Sequence, residues 1–235
     1  MAGATTRLIE LAQLRNQARV FRDRTHAGEV LASMLEALRA SDALVLAVPA
    51  GGAPVAAVLA RNLGLPLDVA VVSKITLPWN TEAGYGAVAF DGTVRLNQKL
   101  IANLALGDSV VANGISATRA KVAERVKRLR PDGPMPQLSR RPVLVVDDGL
   151  ASGYTLAAAV EALHNHGAQR VIAAVPTAHA DAAQQVAHEV EALYCANVRE
   201  GRRFAVADAY EEWSDVPEEV ATELLRAAQA NARSA

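Results

Sequence analysis

The densest group of reactive side chains lies in residues 143–155, VLVVDDGLASGYT: an apolar run, two adjacent acids, a small-residue loop and the start of a helix. In a doubly wound sheet, ligands sit outside the carboxyl ends of strands, and a tight loop entering a helix turns free backbone N–H groups toward an anion. Gly149, Ala151, Ser152 and Gly153 keep this loop narrow, and the Ser152 and Thr155 hydroxyls add donors. Such a loop suits a phosphate monoester. Asp147 and Asp148 make sense beside a phosphate only if they face hydroxyl donors or a cation, and a sugar phosphate with Mg2+ satisfies both. An ordinary βα junction would account for the small residues but not for two acids followed by Ser-Gly-x-Thr. A P-loop ends in Gly-Lys-Ser/Thr, whereas this chain has Gly153-Tyr154-Thr155 and lacks the lysine. Gly84, Gly86 and Ala89 match a dinucleotide fingerprint in spacing, yet they follow LPWNTEA instead of a strand and precede a hairpin instead of a helix.

The elements that must position these residues follow from periodicity. Short β-branched runs alternate with longer amphipathic, Ala- and Leu-rich runs, as in βα units around a parallel sheet. Strands are expected at 43–48, 67–73, 143–146 and 170–175, with a weaker fifth at 192–195. Helices are expected at 53–62, 155–166 and 180–189, the first two stopped by Gly64 with Pro66 and by Gly167. The fold class is therefore α/β, doubly wound, with a mostly parallel five-stranded sheet. The segment from Lys74 to about Leu106 breaks the rhythm and reads as loop and hairpin, with Asp91-Gly92 as a type I′ turn. A helix at 116–130 follows, then the polar stretch PDGPMPQLSRR. A last helix spans about 216–229, with Asp215 and Glu218 at capping-box spacing and Pro217 in the first turn. The whole chain, 1–235, reads as one domain, with 75–106 a hood or flexible loop within it.

At VLVVDDGLASGYT the sequence resembles the type I phosphoribosyltransferases, whose fingerprint for phosphoribosyl pyrophosphate (PRPP) is matched here at every constrained position. The stretch AVPAGGAPVAAVLA, residues 47–60, is similar to the pyrophosphate loop of that family, although relatives often carry a basic residue where this chain has Ala50. FRDRTHAGEVLASML, the NTEAGYGAVAF excursion and AVADAYEEWSDVPEEV extend the likeness, to a less characterised phosphoribosyltransferase-like group, over almost the whole chain. The resemblance implies Mg2+-dependent transfer of phosphoribose from PRPP to an unidentified acceptor, within nucleotide metabolism. It implies that Asp147 and Asp148 hold the ribose hydroxyls, directly or through the metal. Ala151, Ser152, Gly153, Tyr154 and Thr155 would hold the 5′-phosphate, Ala50, Gly51 and Gly52 the pyrophosphate, and Lys74 would neutralise the leaving group. Trp79, Glu82 and Tyr85 become candidates for acceptor contact, with packing as their alternative. In 6-oxopurine enzymes an aspartate stands at the position of Ala151, so hypoxanthine and guanine are disfavoured, while adenine, orotate or an acceptor that is not a base fit. A PRPP-binding regulator using the same pocket without turnover is the alternative. The partners implied are PRPP, a small-molecule acceptor and a second copy of the chain in a homodimer.

Composition sets the outer limits. The chain has 235 residues, 51% hydrophobic and 21% charged, enough to bury a core. Its 24 basic and 25 acidic side chains leave a net charge of −1, which argues against nucleic-acid or membrane binding through bulk charge. One cysteine, Cys195, excludes an internal disulfide, and no apolar run approaches the roughly 20 residues that cross a bilayer. A cytoplasmic location is the expectation. His164 and His166 lie where a helix C-terminus favours cations, and the basic positions Arg119, Lys121, Arg125, Lys127, Arg128 and Arg130 read as a solvated helix face, with a subunit contact or a phosphate approach path as the alternatives.

Overall fold

A computed structural model describes residues 8–130, 133–201 and 203–233. In chain order the elements are β1 (Leu8–Ile9), α1 (Arg24–Met34), β2 (Leu44–Ala47), α2 (Gly52–Leu63), β3 (Leu67–Val69), β4 (Val72–Leu77), β5 (Asn80–Ala89), β6 (Val94–Leu96), α3 (Gln98–Asn103), α4 (Asp108–Leu129), β7 (Val143–Val146), α5 (Tyr154–Asn165), β8 (Val171–His179), α6 (Ala180–Ala187), β9 (Ala192–Arg199) and α7 (Glu218–Arg233). Six strands form a parallel sheet in the order β1-β9-β8-β7-β2-β3, and β4-β5-β6 form a separate antiparallel sheet.

Side chains along the central strands alternate between two cores. Val45 and Ala47 of β2 and Leu144 and Val146 of β7 join the core that contains Leu31 of α1, Leu59 of α2 and Leu225 of α7. Leu44 and Leu46 of β2 and Val143 and Val145 of β7 face the other core, with Leu156 and Leu163 of α5 and Val186 of α6. Both faces are covered, which is why these strands read as continuous apolar runs. The chain moves outward from β2 to β3 and later returns on the other side of β2 as β7. The reversal point therefore lies between β2 and β7, whose last residues Ala47 and Val146 are directly paired.

Several expectations need correction. The parallel sheet has six strands, not five, because the two-residue β1 pairs with β9 and is too short to leave a periodic signal. The run 67–73 is two strands: Ala70 donates to the Ala47 carbonyl at the end of β2, and beyond that point the chain pairs with β5 instead. The β5–β6 turn is not type I′. Only Gly92, at φ 90°, has positive φ in it, and the Gly92 N–H closes onto the Ala89 carbonyl one residue earlier than a two-residue hairpin would. The α4 helix begins at Asp108, eight residues before the expected Ser116. Glu218 opens α7 but turns to Arg125, at 2.9 Å, instead of closing a capping box. Within the expected hood, 75–106, the chain runs through the rest of β4, then β5, β6 and α3. Among the described residues, no helix is long and apolar enough to cross a membrane.

Candidate functional site

The loops that follow β2 and β7 meet at the reversal point of the sheet. Gly51 lies so close to Asp148 that a Cβ built on it would stand 2.1 Å from Oδ2, and one on Gly52 would stand 2.7 Å from the Val146 carbonyl. Neither glycine has positive φ, so the pair is required by this close approach and not by backbone conformation. The Pro49–Ala50 peptide is cis.

Both acids point into this junction, partly shielded from solvent. Burial, with the Asp148 charge added to it, pushes the Asp147 carboxyl well above the ordinary aspartate range. Burial also pushes Asp148 upward, against the pull of Arg24. Arg24, in the first turn of α1, grips Asp148 Oδ2 with Nε at 3.0 Å and Nη2 at 2.9 Å and donates from Nη1 to the Ser214 carbonyl at 2.8 Å. Its guanidinium lies 3.8 Å from the ring centroid of Trp213. The Tyr210 hydroxyl donates to the Asp148 carbonyl at 2.7 Å. One side of the acidic pair is thus clamped by residues from both ends of the chain.

The other side opens onto a cleft of about 400 Å³ lined by residues 147–155, Lys74, Ala83, Gly84, Gly86 and Val206. Gly153, at φ 79°, turns the loop into α5, and no side chain caps that helix, so its first N–H groups remain available to an anion. The loop is anchored by Leu150, whose N–H donates to Thr177 and whose carbonyl accepts from His179. Lys74 crosses the face of Gly84, where a Cβ would collide with its Cγ at 2.2 Å. Lys74, Asp147 and Thr155 also border a second chamber of about 360 Å³ beside Pro49, into which Lys121 and Arg125 of α4 project. Arg125 is buried. Its Nη1 donates to the Val72 carbonyl at 2.7 Å and to Ser73 Oγ at 3.0 Å, and its Nη2 to the Pro49 carbonyl at 3.1 Å.

Asp147, Asp148, Lys74 and residues 151–155 line one cleft, while Gly51 and Gly52 pack against the two acids and Ala50 lies half-buried next to them in the chain. Of the acceptor candidates, neither Tyr85 nor Trp79 lines the cleft. Tyr85 is fully buried, with its hydroxyl against the Val110 carbonyl at 3.5 Å and its ring end seated on Gly114 of α4, so it packs the hairpin onto that helix. Trp79 is 65% exposed at the β4–β5 turn. Glu82 lies on β5, and its side chain falls outside the described residues. Sequence reasoning missed Arg24 as a site residue, and nothing in the sequence ties Tyr210 and Trp213 to Asp148. The solvated-face reading also fails for Arg125 and for Arg130, which is buried and paired with Asp68 at 3.2 Å. The inward-facing apolar positions of α4, Val122 and Leu129, share the spacing of Arg125 and were the available signal.

Among the described residues no three acidic, histidine or cysteine side chains cluster as a complete metal site. Two desolvated carboxylates with raised affinity for a proton nevertheless fit a divalent cation whose remaining ligands come from substrate oxygens, the arrangement usual for Mg2+. His164 instead bonds the Ala168 carbonyl at 2.8 Å, and His166 stacks edge-on against Phe90.

Comparison with known proteins bears on the family and the fold. Residues 92–202 match the family described as phosphoribosyl transferase domain. The crystal structure of TT1426 from Thermus thermophilus shares 33% identity, covers 87% of this chain and 97% of its own, and superposes with a TM-score of 0.68. The Mycobacterium tuberculosis protein Rv0571c, provisionally named a phosphoribosyl transferase, is 32% identical over 202 residues, or 86% of this chain; the chain spans 45% of that relative's length.

Proposed function

Because the chain belongs to the type I phosphoribosyltransferase family, we propose that it moves phosphoribose from PRPP to a small-molecule acceptor and releases pyrophosphate. The observation that supports this reading is that the Asp147–Asp148 pair and the 149–155 loop line one cleft, with the Gly51–Gly52 loop packed directly against the two acids. In the proposed complex the 5′-phosphate sits on residues 151–155 at the start of α5. The ribose 2′- and 3′-hydroxyls face Asp147 and Asp148, which would also hold Mg2+. The diphosphate lies toward the loop formed by Ala50, Gly51 and Gly52, whose Gly52 N–H is donated to the Val48 carbonyl, with Lys74 beside it.

The acceptor's lone pair forms the new bond to the anomeric carbon as the bond from that carbon to the diphosphate oxygen breaks, and the electron pair leaves with pyrophosphate. Positive charge develops on the ribose ring. Asp147 and Asp148 stabilise that charge and fix the ring, so the chain's contribution is positioning and electrostatics. Mg2+, when bound, offsets charge on the departing diphosphate. The β4–β5 hairpin borders the cleft through Lys74, Ala83 and Gly84 and is placed to shield the activated sugar from water.

Calorimetric titration of PRPP with and without Mg2+ tests the reading, followed by a pyrophosphate-release screen across bases and small amines. Asp147→Asn and Asp148→Asn should each weaken PRPP binding; unchanged affinity would remove the ribose from this position. A PRPP-binding regulator is the second reading, favoured by the Arg24 grip on Asp148. It predicts PRPP binding without pyrophosphate release under any acceptor.

A further inference from the structure

The Ala50-Gly51-Gly52 loop contains no cationic side chain, yet a diphosphate carries several negative charges at neutral pH. The chamber beside Pro49 supplies what the loop lacks. Two positions of α4 one turn apart, Lys121 and Arg125, face it together, with Lys74 on its border. The acids that face the same space are Asp147 and Glu218. Glu218 is already engaged by Arg125 at 2.9 Å and Arg128 at 3.4 Å. Arg125 itself is committed to Glu218, Ser73 and two backbone carbonyls, so it sets the shape of the chamber wall. Lys121 is different: it is exposed, it lines the chamber and it forms no ion pair among the described residues.

We propose that Lys121 of α4 is a diphosphate-binding residue, supplying from a helix the cation that the loop after β2 does not carry. The ligand class is an oligophosphate end whose sugar lies across the shared boundary of Lys74, Asp147 and Thr155 in the neighbouring cleft. The inference rests on the phosphoribosyltransferase reading and assigns one subsite within it.

The test is calorimetric binding of three probes, each with Mg2+: inorganic pyrophosphate, PRPP and ribose 5-phosphate. Each is titrated into the wild-type chain, Lys121→Gln and Lys121→Arg. A hydrogen bond to a charged group is worth enough that its loss should weaken pyrophosphate and PRPP about tenfold or more in Lys121→Gln. Ribose 5-phosphate affinity should not change, and Lys121→Arg should keep most of the diphosphate affinity. An unchanged unfolding midpoint, expected for an exposed position, shows that the loss is local. If wild type binds PRPP and Lys121→Gln binds pyrophosphate and PRPP equally well, this inference is overturned and the phosphoribosyl reading stands. If ribose 5-phosphate weakens in parallel, the residue does not act on the diphosphate and the inference is likewise overturned. If the wild-type chain binds neither PRPP nor ribose 5-phosphate, both fall.

Discussion

Arg24→Met removes the charge that grips Asp148 while keeping an aliphatic stem against Trp213. The two side chains are 10% and 15% exposed, so the pair is close to a buried one. Removing one partner of a buried pair costs roughly 3–5 kcal/mol, because the remaining charge is left uncompensated. With residual solvent contact the lower end applies, about 3 kcal/mol. For a chain of this size that corresponds to a fall in Tm of roughly 6–12 °C. The loss must depend on pH. Burial already raises the Asp148 carboxyl and Arg24 opposes that rise, so the variant's carboxyl titrates higher than the wild type's. A native state that holds its proton more tightly than the unfolded chain loses stability as pH climbs from the unfolded value to the raised one. The gap between variant and wild type should therefore be full at mildly alkaline pH, where Asp148 is ionised in both, and shrink at acidic pH as first the variant's carboxyl and then the wild type's takes up a proton. Thermal unfolding at both pH values measures it, and Arg24→Met combined with Asp148→Asn should recover much of the loss. A Tm change under about 2 °C at the higher pH, or an equal loss at both pH values, would refute the clamp.

Three further outcomes are expected. Gly51→Ala places a methyl 2.1 Å from Asp148 Oδ2 and should cost about 1–3 kcal/mol in denaturant unfolding while weakening PRPP binding; a neutral result would mean the two loops separate easily. Trp79→Ala, at a 65% exposed position, should leave stability within about 0.5 kcal/mol, so any rise in acceptor KM would mark that turn as part of the acceptor site. Cys195 is fully buried and its thiol is pushed far upward by that burial, so a disulfide reagent should label it at about pH 8 only after unfolding; labelling of the native chain would contradict the core packing of β9.

What could be read from the sequence was local. The β7–α5 junction and the β2–α2 junction each occupy a short continuous stretch, so residue type and order carried both loops. What could not be read depends on topology. Arg24 and Asp148 are 124 positions apart, and nothing in FRDRTH distinguishes an arginine that will meet a carboxylate from one that will meet water. Tyr85 and Gly114 meet only because the β4–β6 sheet packs beneath α4. Arg125 illustrates the same point with the opposite outcome: charged residues on both sides suggested a solvated face, whereas its own helical register turned it inward with Val122 and Leu129. Val72 and Ser73 read as the end of a parallel strand because apolar runs do not announce which sheet they will join.

The grip of Arg24 also bears on how the chain matures during synthesis. Its guanidinium bonds Asp148 and the carbonyl of Ser214, 190 residues away. The Tyr210 hydroxyl that fixes the Asp148 backbone lies 62 positions downstream of it. A nascent chain emerging N-terminal end first exposes both loops of the cleft well before Tyr210 and Trp213 have been made. Until then Asp148 lacks part of the frame that holds it. The frame around Asp148 is therefore completed late, after the strands of the sheet have been made, and a chain released before Tyr210 would lack part of it.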